Sequence, residues 1–213
     1  MTEKSRLKRV PKRGIYDRNE AYKIVDNNYI CHLAFIHNGI PVSIPTMYGR
    51  EGDTIYLHGA MASRLLNEVE KGFDVCLSIA KVNALVLARS AFHHSLNYES
   101  VVIFGKGKLV TEKDKIKALK VISDNLLKER WEEVRHPNKK ELNATKIIAI
   151  SIGEITGKVR DEGVNDHPED LNLPIWAGLV PIKQQFLEPI HAKGVKENIK
   201  IPKSITKLIN ERK

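Results

Sequence analysis

The sequence predicts a mainly β protein: an antiparallel barrel with helices set around its rim. Three observations carry this expectation. Strand-like runs follow one another closely through the first half of the chain. The joints between them are tight turns, with Asn38-Gly39 as the strongest hairpin signal. The helical stretches are short and amphipathic and fall between strands, without the regular strand–helix alternation of a doubly wound parallel sheet.

The elements follow in order. Asp17-Arg18-Asn19-Glu20 starts like a capping box, and Ala21, Ile24 and Val25 continue at helical spacing, so a helix is expected over about 17–27. Tyr29 to His37 is β-rich, and Ile40 to Tyr48 returns after the Asn38-Gly39 turn. Thr54 to His58 follows the turn Arg50-Glu51-Gly52-Asp53. Ala62 to Lys71 carries Leu65, Leu66 and Val69 on one face, with Gly72 placed to cap its C-terminus. Asp74–Leu87 and Ser100–Val110 are strand-rich, and Lys113–Arg130 is a longer amphipathic helix. Thr145–Val159 is a strand pair or one bent strand, with Gly153 and Gly157 as expected bulges or turns. Ser204–Ile209, preceded by Pro202, has the makings of a short terminal helix.

With 213 residues, 42% hydrophobic and 29% charged, the chain has the bulk of one ordinary globular domain. No apolar run is long enough to span a bilayer, and the basic start lacks the apolar stretch of a secretory signal, so the reading is cytoplasmic. Cys31 and Cys76 lie in strand-like runs and are expected as free thiols. The net charge of +9 is concentrated at the ends: residues 1–13 carry +5, residues 193–213 another +5, and the segment between them is near neutral. A nucleic-acid-binding fold more often carries its charge on a structured face among aromatics, so nucleic acid is not the expected partner. The division expected is a basic arm over 1–13, a barrel domain over 14–182 and a basic extension over 183–213.

Three segments carry chemistry. Tyr56-Leu57-His58-Gly59-Ala60-Met61-Ala62-Ser63-Arg64 reads as strand, glycine turn and helix start. A helix N-terminus attracts phosphate, Ser63 adds a hydroxyl and Arg64 a charged fork. The alternative is a plain helix cap and a solvated arginine. In Ala88–Gly105, polar and aromatic groups (Arg89, His93, His94, Asn97, Tyr98) crowd before an apolar strand, where each needs a hydrogen-bond partner. They either tie down loops or face a ligand. Adjacent histidines point different ways and no carboxylate sits at ligand spacing, so no metal site is expected from His58, His93 and His94. Pro174–Pro181 sets Trp176 between prolines, as a barrel plug, a subunit contact or a stacking platform.

Taken together and in this order, HGAMASR, ARSAFHHSLNYESVVIFGKG, GKVRDEG and WAGLVPI resemble the flavin-nucleotide-binding proteins of the pyridoxamine 5′-phosphate-oxidase-like superfamily. The branch is that of the nitroimidazole-resistance proteins, and the likeness covers about residues 8–182. The resemblance implies a Greek-key split barrel that binds flavin mononucleotide (FMN) and pairs into a homodimer with two sites at the interface. It places Val42, Ser43, Ile44, Pro45, Thr46 and Met47 along the isoalloxazine, and Leu57 and His58 on the next strand toward flavin and ribityl chain. It gives Ser63 and Arg64 the phosphate, and Ser100 a polar flavin contact. It brings Lys158, Arg160 and Trp176 in from the partner subunit. Met47 stands where the oxidases place a lysine, and the chain lacks their Arg-Leu-His-Asp-Arg-like C-terminal motif, so oxidation of pyridoxamine phosphate is not the activity expected. The expectation is an FMN-dependent oxidoreductase acting on a small planar acceptor, with His58, His93 or His94 as proton donors. The alternative is a non-catalytic flavin carrier.

Overall fold

The computed structural model describes residues 3–196 and 198–211. Nine strands form one sheet: β1 (Gly14–Ile15), β2 (Ile30–His37), β3 (Ile40–Met47), β4 (Gly49–Glu51), β5 (Thr54–Ala60), β6 (Asp74–Leu87), β7 (Ser95–Leu109), β8 (Thr145–Arg160) and β9 (Gly178–Pro181). The hydrogen-bonded order is β3-β2-β6-β7-β8-β5-β4, with β1 also on β8 and β9 also on β6. Every pairing is antiparallel. The helices are α1 (Arg18–Asp26), α2 (Arg64–Val69), α3 (Lys115–Leu126), α4 (Lys139–Ala144) and α5 (Lys203–Glu211).

The strand order dictates the shape. Laid flat, a seven-strand path would hold its edge strands about 29 Å apart at roughly 4.8 Å per strand. Those edges, β3 and β4, are consecutive in sequence with only Tyr48 between them. The sheet must therefore curl until its edges meet at Tyr48. No ladder joins β3 to β4 or β5, so the barrel is split along that line. Tyr48 is fully buried, and its hydroxyl donates to the Val25 carbonyl of α1 at 2.5 Å. Burial in these apolar surroundings pushes its phenol well above the ordinary range.

The core fills the barrel with Leu33, Phe35, Ile55, Leu57, Leu77, Ile79, Ile103 and Ile150, and α1 and α2 add Val25, Leu65, Leu66 and Val69. Helix α3 lies outside, where Ala118 packs with Val110 and Ile147. Gly49 makes this approach possible, since a Cβ there would stand 2.6 Å from the Ile122 Cα.

The hairpin and the α1 cap on Asp17 stand as expected, with φ of 51° at Asn38 and 77° at Gly39; Gly72 is left-handed at 78°, but the helix expected over 62–71 spans only Arg64–Val69, with Glu70 as its C-cap. Other expectations are corrected. The strand expected from Ser100 begins at Ser95, so Asn97 to Glu99 belong to the ladder against β6 and β8. The helix expected over 113–130 spans only Lys115–Leu126, where Leu127 turns extended. Residues 145–160 form one continuous strand, with a register shift at Gly153 but regular pairing at Gly157 opposite Val101. Strand β9 and helix α4, the latter closed by an Asn138–Glu141 capping box, were not foreseen.

Both basic ends fold back on the body. Thr156 donates to the Ser5 carbonyl at 2.7 Å, and Arg13 pairs with Glu162. At the other end Ser204 is buried against Glu133 and Lys207 pairs with Glu129. Cys31 and Cys76 are free thiols. Among the described residues no helix is long and apolar enough to cross a membrane.

Candidate functional site

The split in the barrel is the unpaired line between β3 and β5. It starts at Tyr48, where the β4–β5 ladder ends at Gly49 opposite Tyr56. From there β3 and β5 diverge: one arm is the unpaired edge of β3, the other is β5 running to its end at Ala60. Helix α2 spans the open end, because its Glu68 hydrogen-bonds His37, the last residue of β2, at 2.9 Å. The candidate segments 42–47, 57–58 and 63–64 lie on β3, on β5 and at the start of α2, the elements that border this split.

On the β3 arm, Val42 and Ile44 pack against the core while Ser43 and Pro45 are exposed. An edge strand offers backbone donors and acceptors along its free side, and Pro45 is tolerated there because the position tolerates a missing N–H. Thr46 and Met47 are half-buried, and Thr46 donates to the Met47 carbonyl at 3.3 Å.

On the other arm Leu57 is fully buried in the core, so its side chain faces the barrel interior and only its backbone borders the cleft. His58 points the opposite way. Its Nδ1 is buried with no hydrogen-bond partner, and burial holds the imidazole below its ordinary pKa, which favours the neutral form. Ser63 caps α2 by accepting from the Leu66 N–H at 3.4 Å, which leaves its hydroxyl proton free to donate outward. Arg64 is exposed and enters no ion pair among the described residues. With six residues, α2 has little macrodipole, so affinity for an anion here rests on these two side chains.

The remaining candidates lie elsewhere in the chain. Ser100 and Lys158 pair across β7 and β8, with the Ser100 hydroxyl donating to the Lys158 carbonyl at 3.3 Å. Lys158 has no ion-pair partner among the described residues. His58 pairs with Ile147 at the opposite end of the same strand β8. Eleven residue steps separate the two ends, at most about 36 Å along the strand at roughly 3.3 Å per residue. Arg160 is 5% exposed, and its guanidinium is spent on the Asn97 side chain and the Glu162 and Gly163 carbonyls. Trp176 is 66% exposed, its ring lying over Gly178 at the start of β9. His94 bonds the Ala88 carbonyl at 3.2 Å, and His93 stacks edge-on against His167 at 4.7 Å. Arg89 is clamped to Asp166 through both its backbone N–H and its guanidinium. No group of three or more metal-ligating side chains occurs among the described residues.

Sequence reasoning missed Lys146 and Glu70, a buried lysine paired with the half-buried glutamate that ends α2. Nothing local signals such a pair, since its members lie 76 residues apart.

An antiparallel barrel split at one seam, with helices at its rim and polar groups around the split, defines the flavin-binding split-barrel class of fold. The profile of the pyridoxamine 5′-phosphate oxidase family matches residues 17–159, and the chain belongs to that family. No curated protein matches it in sequence. Among solved structures it is similar to a flavocytochrome of Azotobacter vinelandii, with 34% identity, 97% of each chain covered and a TM-score of 0.90. It is also similar to an FAD- and haem-binding protein of Mycobacterium smegmatis, with 28% identity, 92% of this chain and 97% of that one covered, and a TM-score of 0.89. A candidate 5-nitroimidazole antibiotic resistance protein of Bacteroides thetaiotaomicron shares the fold at 22% identity, over 68% of this chain and 86% of that one, with a TM-score of 0.59.

Proposed function

We propose that this protein binds a flavin nucleotide in the cleft between β3 and β5 and acts as a flavin-dependent oxidoreductase on a small planar acceptor. The observation that carries the reading is the unpaired edge of β3 across the split from β5 and its half-buried, orphaned His58, with Ser63 and Arg64 at the start of α2. The residues fit the group. A β-strand edge supplies the donors and acceptors that a flavin's pyrimidine edge requires, and Ser63 and Arg64 supply a hydroxyl and a fork for a phosphate. That phosphate is common to FMN and FAD. FMN is the nucleotide that the motifs imply, while the name of the M. smegmatis relative specifies FAD.

The bound flavin would supply the electron chemistry. The chain's residues bind, orient and shield it. Arg64 and Ser63 hold the phosphate end. The β3 backbone would offer the ring its hydrogen-bond donors and acceptors. His58, held neutral by burial, takes or gives a proton at Nδ1. Lys158, Ser100 and Trp176 lie too far along the barrel to reach the same cleft within one chain. A homodimer would bring them to the partner's cleft, where the Lys158 ammonium would set a positive charge beside the bound ring.

A second reading adds haem. The two relatives that span nearly the whole chain are a flavocytochrome and an FAD- and haem-binding protein, and the orphaned, neutral imidazole of His58 has the chemistry of an axial ligand. Absorption spectra of the purified protein, before and after adding FMN, FAD or haemin, test both readings. Flavin bands that bleach with a reduced nicotinamide support the oxidoreductase. A Soret band lost in His58→Ala supports haem. A protein that takes up neither sinks both.

A further inference from the structure

Helix α2 carries the phosphate-facing pair, yet a six-residue helix does not hold its own orientation. Leu65, Leu66 and Val69 anchor its inner face in the core, and polar contacts tie it from both sides. On the β2 side Glu68 meets His37 at 2.9 Å. On the β8 side the Lys146 ammonium donates to Asn67 Oδ1 at 2.6 Å and to both Glu70 carboxylate oxygens at 2.8 Å. The Lys146 side chain is 8% exposed, and these three bonds use all three of its donors. Lys146 pairs in register with Gly59, directly below the turn that leads into Ser63. Burying an ammonium is costly, and packing alone would be served better by an apolar residue of similar volume.

We infer that Lys146 is a positioning residue for the nucleotide's phosphate. It sets the angle of α2 across the cleft, and so the places of the Ser63 hydroxyl and the Arg64 guanidinium, without touching the ligand. The inference rests on the flavin-nucleotide reading above and deepens it.

The test separates phosphate recognition from general integrity by comparing FMN with riboflavin, which has the same ring and no phosphate. The full-length chain freed of flavin is titrated with each, as wild type, Lys146→Met, Arg64→Ala and the double variant. Wild type is expected to prefer FMN by about tenfold or more, the scale of one charge-assisted contact. Lys146→Met is expected to lose most of that preference, while its riboflavin affinity stays within about twofold of wild type. The double variant is expected to be no worse than Arg64→Ala, because both changes disable one clamp. A retained preference in Lys146→Met, parallel loss of both ligands, or losses that multiply in the double variant overturns the inference; the last outcome would mean that Lys146 touches the phosphate itself. If Lys146→Met does not fold, Glu70→Gln breaks the same pair from the helix side and is read by the same criteria. A wild type with no preference for FMN sinks the phosphate clamp beneath the inference, which is a different failure from a preference that Lys146 does not control.

Discussion

Two regions of this molecule carry similar polar side chains to opposite ends. The connection from β6 to β7, with the loop packed on it, gathers Arg89, His93, His94, Asn97 and Arg160. The turn from β5 into α2 holds only His58, Ser63 and Arg64. In the first region most groups are committed, Arg160 to Asn97 and two carbonyls, Arg89 to Asp166 and His94 to a backbone carbonyl, with the buried Arg89 Nε as the exception that has no partner. In the second, the His58 Nδ1 and the Arg64 guanidinium have no protein partner among the described residues. Density of polar residues in sequence therefore marks the seam that ties the barrel's loops down. The sparser region, whose groups are unspent, marks the site.

The sharpest way to break this contrast is Arg160→Met. It strips a buried guanidinium and leaves the Gly163 carbonyl without its donor, while Asn97 keeps its bonds to the Glu162 backbone, and is expected to cost about 2–4 kcal/mol of stability by denaturant unfolding. Asp166→Ala leaves Arg89 with a half-buried charge and a free N–H. It is expected to cost about 1–3 kcal/mol and to loosen the segment that leads to Trp176, seen as faster amide exchange over 161–177. Arg64→Ala is expected to leave stability within about 0.5 kcal/mol while weakening flavin-nucleotide binding by about tenfold or more. A cost in stability like that of Arg160 would erase the distinction between the regions.

The smallest effect is in pH. His58 has a folded-state pKa below its unfolded value, so between the two the unfolded chain binds a proton that the native one refuses. Stability contributed by this group is therefore complete above about pH 6.5 and declines as pH falls toward the folded pKa. His58→Asn is expected to flatten that part of the stability–pH curve. An unchanged slope would mean that the imidazole is not held neutral by burial.

Much of this was legible in the sequence where the signal was local. The Asn38-Gly39 hairpin and the Asp17 cap depend on residues a few positions apart, and each stands where the chain alone puts it. The Ser63–Arg64 segment could be placed at a helix start for the same reason. What escaped depends on distant pairing. Asn97 to Glu99 read as a connector because they are polar, but β6 and β8 flank them and turn them into ladder. Arg160 looked like a free cation until Asn97 closed over it. Strand β9 exists only because β6 offers an edge beyond its bulge at Asn83. The docking of α5 on Glu129 and Glu133 joins residues some seventy positions apart. The capping box of α4, by contrast, was local and readable as Asn138-x-x-Glu141.

The most direct test of the central claim is a titration of FMN into the flavin-free wild type and the Arg64→Ala variant, with folding of both verified by circular dichroism. The account predicts saturable binding by the wild type and about tenfold or greater weakening in a variant that folds equally well. Equal binding by the two proteins, or none by the wild type, would contradict it.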